Sequence, residues 1–414
     1  MTRRIAVVMA LALLVVLVPS GLAAQGTQKT TLSVLWFNDS NESDVFQKVM
    51  ADYLASHPNI TLDLQVLPFT DYQNKLKLMI AGGNPPDVAR VTNNHIAMFV
   101  DQLQPLTGKV FTDLAKNFYP SSLALGSDAS GQLLAMPTEA TANGMIVNKT
   151  YFKNAGIDVD KLSRTWTWDQ WVDAMKKVLK ANPTCKYGIA VDFTPNRWST
   201  FLFEAGGRFL TNDGKKMAFN SPQSLDALNF FKMLHDTGLA PSSVWMGSEN
   251  PQEMFTAGLV ACHVGGSWLI NAYNSTVKTF DWGAVRMPRR TINSSVPGGK
   301  WIATFKASAN KQAAMDLIAA FSDKAHNEAY CRDTFNLSAR KDAAIVYPSH
   351  TNDFKVFAAD LADTPAYTAD DWKSPGLNKI YTYIREQIVE GLLGHQTMAQ
   401  TAANIDAQGN SFLQ

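Results

Sequence analysis

Gly265, Gly266, Ser267 and Trp268 stand in succession after the apolar run Val260 to Val264 and before a helical pattern. Two glycines let another group come close to the backbone, and the free amides of a helix start offer donors to a hydroxyl or an anion. The indole of Trp268 adds a flat apolar face beside those donors. Such a set suits binding. A second polar set, Thr92, Asn93 and Asn94, follows the short apolar segment Asp87 to Val91. Small polar side chains at the end of a buried strand are how an open α/β sheet presents a ligand loop at its carboxyl edge.

The usual signatures of catalysis are missing from the chain. It has no HExxH, no Cys/His set at zinc spacing, no GxGxxG and no GxSxG. Gly298, Gly299 and Lys300 do not form a nucleotide loop, because Trp301 stands where Ser or Thr is needed and the earlier glycine is absent. No cofactor and no metal are therefore expected. Cys185, Cys262 and Cys331 are widely spaced. Three isolated buried thiols are the expectation, with one disulfide the alternative in an oxidising compartment.

At 414 residues the chain suits two domains better than one. It is 46% hydrophobic, with 22 Phe, 10 Trp and 11 Tyr, so it can build large cores. Its 37 basic and 36 acidic residues leave a formal charge of +1, which gives no long-range pull on a polyanion and argues against nucleic acid as a partner. Arg3 and Arg4 precede an apolar run from Ile5 to Val18, and Pro19, Ser20 and Gly21 lead to Ala23 and Ala24. This is the layout of a cleaved secretory leader over residues 1–24, and it implies export to the periplasm or another extracytoplasmic space.

The elements that must position the polar sets are legible from periodicity. Thr31 to Phe37 reads as a first strand, followed by a polar loop from Asn38 to Ser43, a helix to His57, and a second strand in which Ile60, Leu62, Leu64 and Val66 alternate. Tyr72, Leu76, Met79 and Ile80 share one face of a helix that Gly82 and Gly83 should end with a left-handed cap, and Pro85 and Pro86 bar it from resuming. The order βαβαβ favours a parallel or mixed sheet covered on both faces. Farther on, Thr167 and Gln170 fit a capping box at the start of a helix whose buried face is Trp168, Trp171, Val172, Met175, Val178 and Leu179.

Several stretches resemble the extracellular solute-binding proteins of ATP-driven importers, in the sugar-capturing class that includes the maltose-binding proteins. They are AGGNPPDVARV (81–91), AMPTEATANGMIVNK (135–149), FTAGLVACHVGGSWLIN (255–271) and VPGGKWIATF (296–305), with NLSARKD (336–342) as a weaker match because Ser338 replaces a proline common in relatives. The resemblance implies a two-lobed α/β fold of the periplasmic-binding-protein type, with a ligand cleft between lobes joined by several hinge crossings. It divides the chain into a first lobe, residues 25–139 plus 295–337, and a second, residues 140–294 plus 338–414. Thr138 to Asn143 is the candidate hinge.

By the same resemblance Trp36, Asn38, Thr92, Asn93 and Gly299 would line the first lobe, Glu139 and Thr141 the hinge, and Arg197, Trp198, Ser267 and Trp268 the second lobe. Arg340 would contact a ligand hydroxyl or carboxylate, or else form a structural salt bridge. Trp268 corresponds to a ring that commonly stacks on a pyranose in relatives. A pyranose has apolar C–H faces and a rim of hydroxyls, so an aromatic plate edged by polar groups suits it. The implied protein is a monomer that closes on a small carbohydrate and delivers it to the membrane subunits of an ABC permease. Two alternatives remain: an exported glycoside hydrolase, for which Glu139 and Glu204 are the nominees, and a binding protein for a glycerophosphodiester or another polar solute.

Overall fold

A computed structural model describes residues 29–413; the leader expected over residues 1–24 lies outside the described residues. The strands are β1 (Thr30–Phe37), β2 (Ile60–Leu67), β3 (Val88–Val91), β4 (Ala135–Asn148), β5 (Tyr187–Val191), β6 (Val260–Gly266), β7 (Trp282–Val285) and β8 (Pro297–Ala303). They run in the order β2-β1-β3-β8-β4-β6-β5, with β7 beside β4. β1 is parallel to β2 and β3, and β5 is parallel to β6, as the βαβ reading requires.

β4 joins two layers. Its residues Ala135 to Ala142 pair antiparallel with β8, and Asn143 to Asn148 pair with β6 and β7. The crossing stretch Thr138 to Asn143 is thus buried strand throughout, with a register shift between Pro137 and Glu139 where the ladder locally loosens. β8 returns beside it, and Ala140 bridges Leu337, a third crossing at the same level. The crossings touch closely: a Cβ on Gly299 would meet the Glu139 carbonyl at 2.4 Å, and one on Gly298 the Thr141 hydroxyl at 2.8 Å. Those glycines are explained by strand packing.

Each layer has its own core. In β1, Leu32, Val34 and Trp36 face one side with Phe46, Leu317 and Ile318, while Leu35 and Phe37 face the other with Tyr72 and Leu76. Alternation along a strand makes that split. The second lobe buries Trp168, Trp171, Phe201, Phe231 and Ile189 in one cluster, and Ile384, Ile388 and Ile405 from the C-terminal helices complete it. The capping box of Thr167 and Gln170 is present at the head of helix Trp168–Ala181. Helix Phe69–Ala81 ends as expected, except that the left-handed residue is Gly83 (φ 71°) while Gly82 keeps φ −78°. Cys185, Cys262 and Cys331 are free and buried.

Helix Thr351–Asp363 carries a titrating group that reports on second-lobe stability. Asp360 is fully buried and pairs with Arg286 at 2.5 Å. Burial pushes its carboxyl from 3.8 up to about 7, against the pull of Arg286. A carboxyl raised on folding stabilises fully below its unfolded value, and that contribution is lost as pH rises toward 7. Asp360→Asn removes the loss. Urea titrations should find the variant gaining on wild type between pH 4 and pH 7, by on the order of a few kcal/mol, with no further change above. A difference that stays constant with pH would contradict the assignment.

Candidate functional site

Strand direction locates the site. The carboxyl ends of β1 and β3 in the first lobe open into Asn38–Asn41 and Thr92, and those of β5 and β6 in the second open into Asp192–Thr194 and Ser267–Trp268. Ligands of open α/β sheets sit at such ends. The two edges meet across the crossing strands: the Asn271 side-chain amide donates to Ser40 Oγ at 3.0 Å and to Asn41 Oδ1 at 2.9 Å.

Trp268 lies half-buried at this junction. The Arg197 guanidinium sits 4.1 Å from its ring centroid and the Lys300 ammonium 5.7 Å. Cations over an indole are held by the ring quadrupole, worth about 0.5–2 kcal/mol each depending on solvation. The glycine pair before Trp268 serves the ring itself. A Cβ on Gly266 would fall 1.9 Å from the indole, and one on Gly265 would strike Leu269 and the imidazole of His263. The close approach expected from these glycines is made by the chain's own aromatic groups.

Both cations are neutralised locally. Lys300 pairs with Asp39 at 2.6 Å, and Arg197 with Asp192 at 3.4 Å, while Arg197 Nη1 also donates to Asn143 Oδ1 at 3.1 Å. Desolvation would raise the Asp39 carboxyl, but Lys300 and Arg90 outweigh it and hold it below the usual range. Desolvation likewise opposes Asp192, which His263 and Arg197 pull down. These carboxylates keep 28% and 24% of their side-chain surface open, so they can still accept from a ligand. Beneath them Arg90, with no exposed surface, pairs with Glu139 at 2.5 Å and donates to the Phe37 carbonyl at 2.7 Å.

The expected site residues divide on this geometry. Arg197 and Trp268 stand together on the cleft. Asn38, Thr92 and Asn93 lie on its edge loops but are engaged: Asn38 holds the backbone N–H and hydroxyl of Ser43, Thr92 caps helix Asn93–Met98, and Asn93 donates to the Trp372 carbonyl at 3.3 Å.

The other expected site residues are engaged elsewhere. Trp36 is a core residue stacked on Phe46 at 4.6 Å, because it shares the strand face of Leu32 and Val34. Trp198 is buried against Phe219 inside the second lobe. Glu139 is fully enclosed by Arg90 and Thr138, and Gly299 by strand pairing. Arg340 takes the salt-bridge role, with two contacts of 2.9 Å to Asp342 and one of 2.7 Å to the Ser322 carbonyl. Ser267 is also buried, its N–H donating to the Ala142 carbonyl at 2.9 Å and its hydroxyl accepting from the Ala142 N–H, which ties β6 to the crossing strand. Thr141 lines a separate cavity.

That cavity holds about 890 Å³. Tyr119, Thr141, Gly298, Arg340 and Phe354 are among its walls. Size and apolar lining alone would favour it as the ligand site. No carboxyl-edge loop reaches it, however, whereas a depression of about 600 Å³ beside Trp268 is walled by Asp192, Thr194 and His263. The polar edge is the better candidate. Sequence reasoning missed Asp39, Asp192, Asn143, Lys300 and Asn271. Asp39 and Asp192 had a usable signal, since each stands within two residues of a strand's carboxyl end. Among the described residues no group of His, Cys, Asp and Glu is arranged to hold a metal ion.

Comparison with known proteins agrees with this architecture. The chain is 25% identical over 334 residues to a protein of Brucella abortus strain 2308 named as a binding protein, covering 78% of this chain and 77% of that one. It is 20% identical over 293 residues to the multiple sugar-binding protein of Streptococcus mutans, covering 67% of each. Its fold matches the ABC substrate-binding protein of Listeria monocytogenes solved with cycloalternan at TM-score 0.81 and 21% identity, over 93% of this chain and 99% of that one. The family model described as bacterial extracellular solute-binding protein matches residues 39–328. With a match of that extent and the two-lobed sheet to go with it, the chain belongs to the bacterial extracellular solute-binding proteins.

Proposed function

We propose that this protein captures a sugar or oligosaccharide outside the cytoplasm and hands it to the membrane permease of an ABC importer. The observation that carries the reading is Trp268, an aromatic plate at the meeting of the two lobes with Asp39, Asp192, Asn143, Arg197 and Lys300 around it. The ring suits the C–H face of a pyranose, and the charged and amide groups suit its hydroxyls. The sugar-binding relative and the sugar-bound structural neighbour support this class of ligand. Closure is a population shift: a ligand touching both edges favours the closed state by its differential affinity. The protein acts as a monomer, and it makes and breaks no bond.

A neutral sugar is favoured over a phosphodiester. Two cations flank Trp268, but each is matched by its own carboxylate, so no net positive charge awaits an anion. Hydrolysis has little support, since Glu139 faces Arg90 and Glu204 is buried against the Trp168 indole at 2.7 Å. A thermal-shift panel of maltose, maltotriose, cellobiose, N,N′-diacetylchitobiose, cycloalternan and sn-glycerol-3-phosphate tests the reading. A cognate sugar at 100 times its Kd should stabilise the fold by about 2.7 kcal/mol. Stabilisation by the glycerol phosphate alone, or turnover of a chromogenic glycoside, would overturn it.

A further inference from the structure

We propose that His263 is a positioning residue for ligand capture, acting through Asp192 to hold Arg197 against Trp268; the inference rests on the sugar-binding reading. His263 stands on β6 with no exposed surface. Its Nδ1 is 2.5 Å from the Tyr273 hydroxyl and its Nε2 is 2.7 Å from Asp192 Oδ1. The other Asp192 oxygen, Oδ2, is 3.4 Å from Arg197 Nε, and the Arg197 guanidinium covers the Trp268 ring. Four side chains thus link a buried hydroxyl to the aromatic plate: Tyr273, His263, Asp192 and Arg197.

The direction of the hydrogen bonds follows from chemistry. An ionised Asp192 can only accept, so Nε2 of His263 carries the proton toward it, while Nδ1 is engaged by the Tyr273 hydroxyl. Both imidazole nitrogens are then used within the protein. His263 backs the depression beside Trp268 but has no exposed surface and no free nitrogen to offer a ligand. What it supplies is a fixed donor behind a carboxylate that is open on its far side, which sets where that carboxylate presents its second oxygen to Arg197. A fixed partner shell around a binding group is what keeps the group in its productive geometry. The same strand provides the space: a Cβ at Gly265 would stand 3.2 Å from the His263 ring.

Three variants test this in the full-length protein, with affinity measured by calorimetry for the tightest-binding sugar of the panel. His263→Leu removes the donor and should weaken binding about fivefold to tenfold. His263→Gln keeps an N–H near the Nε2 position and should stay within about twofold of wild type. In an Arg197→Ala background, His263→Leu should add less than a further twofold, because the group it positions is gone. A folded His263→Leu protein with wild-type affinity, or a penalty that persists undiminished without Arg197, overturns the proposal. If His263→Leu does not fold, imidazole nitrogen resonances assigned with His263→Gln carry the test. They should shift when the sugar is added to wild type and stay fixed in Arg197→Ala; unmoved resonances in wild type overturn the proposal. Failure of the sugar to bind wild type at all would instead remove the reading on which it rests.

Discussion

Trp268→Ala is expected to weaken sugar binding at least tenfold, about 1.4 kcal/mol, in a protein that stays folded. The ring is half-buried at the lobe junction, packed against the margin of the second lobe's buried cluster but not inside it, so its loss trims the edge of that core and leaves its interior in place. What disappears is the flat apolar face that a pyranose would cover, together with the surface over which Arg197 and Lys300 rest. Calorimetric titration reads the change directly, and far-ultraviolet circular dichroism verifies the fold. Unchanged affinity would remove Trp268 from the site. Trp268→Phe should recover part of the loss, since a smaller ring keeps the face but less of its area.

Arg90→Met should give the largest loss of stability, about 3–5 kcal/mol, because it removes the close partner of a fully buried carboxylate whose remaining cation is shared with Asp39. Arg90 is fully buried under the cleft, 2.5 Å from Glu139, 3.6 Å from Asp39 and 4.0 Å from Glu42. Removing it leaves Glu139 with the Thr138 hydroxyl and a Lys300 ammonium 3.9 Å away. Pairing the change with Glu139→Gln should restore part of the loss, since the buried charge goes with its partner. Urea unfolding monitored by tryptophan fluorescence measures both. A cost below about 1 kcal/mol for the single change would mean that water reaches Glu139 freely.

These two residues also mark how far the sequence could be read. The first three strands and their βαβαβ order followed from period-two and period-3.6 patterns, because one face of each element must be buried whatever lies on the other; β5 and β7 were not read, and the order across the sheet depends on the crossings. Trp268 stood out for the same kind of reason: two glycines before an aromatic residue signal a tight approach, and the structure reveals the approaching group as the indole itself. Arg90 carried no such sign. It sits inside β3 among apolar residues, and its partners come from residues 39, 42 and 139, which only the fold brings together.

The misplaced tryptophans are instructive for the same reason. Trp36 has the parity of Leu32 and Val34, which already assigned it to the core, yet its place at the end of a strand made it look like a site residue. Trp198 lies one position after Arg197 on a helix, and one position is a rotation of about 100°, enough to turn one side chain to the cleft and the next to the interior. Charge pairing was hidden as well. That Lys300 meets Asp39 and Arg197 meets Asp192 depends on strand crossings between distant segments, so the local neutrality of the cleft could not be foreseen from a net charge of +1.

A crystal structure with the tightest-binding sugar of the panel tests the central claim most directly. The expected result is a pyranose ring stacked on Trp268, its hydroxyls reached by Asp39 from the first lobe and by Arg197 or Asp192 from the second. A sugar lodged instead in the cavity between Tyr119 and Phe354, with Trp268 untouched, would contradict it.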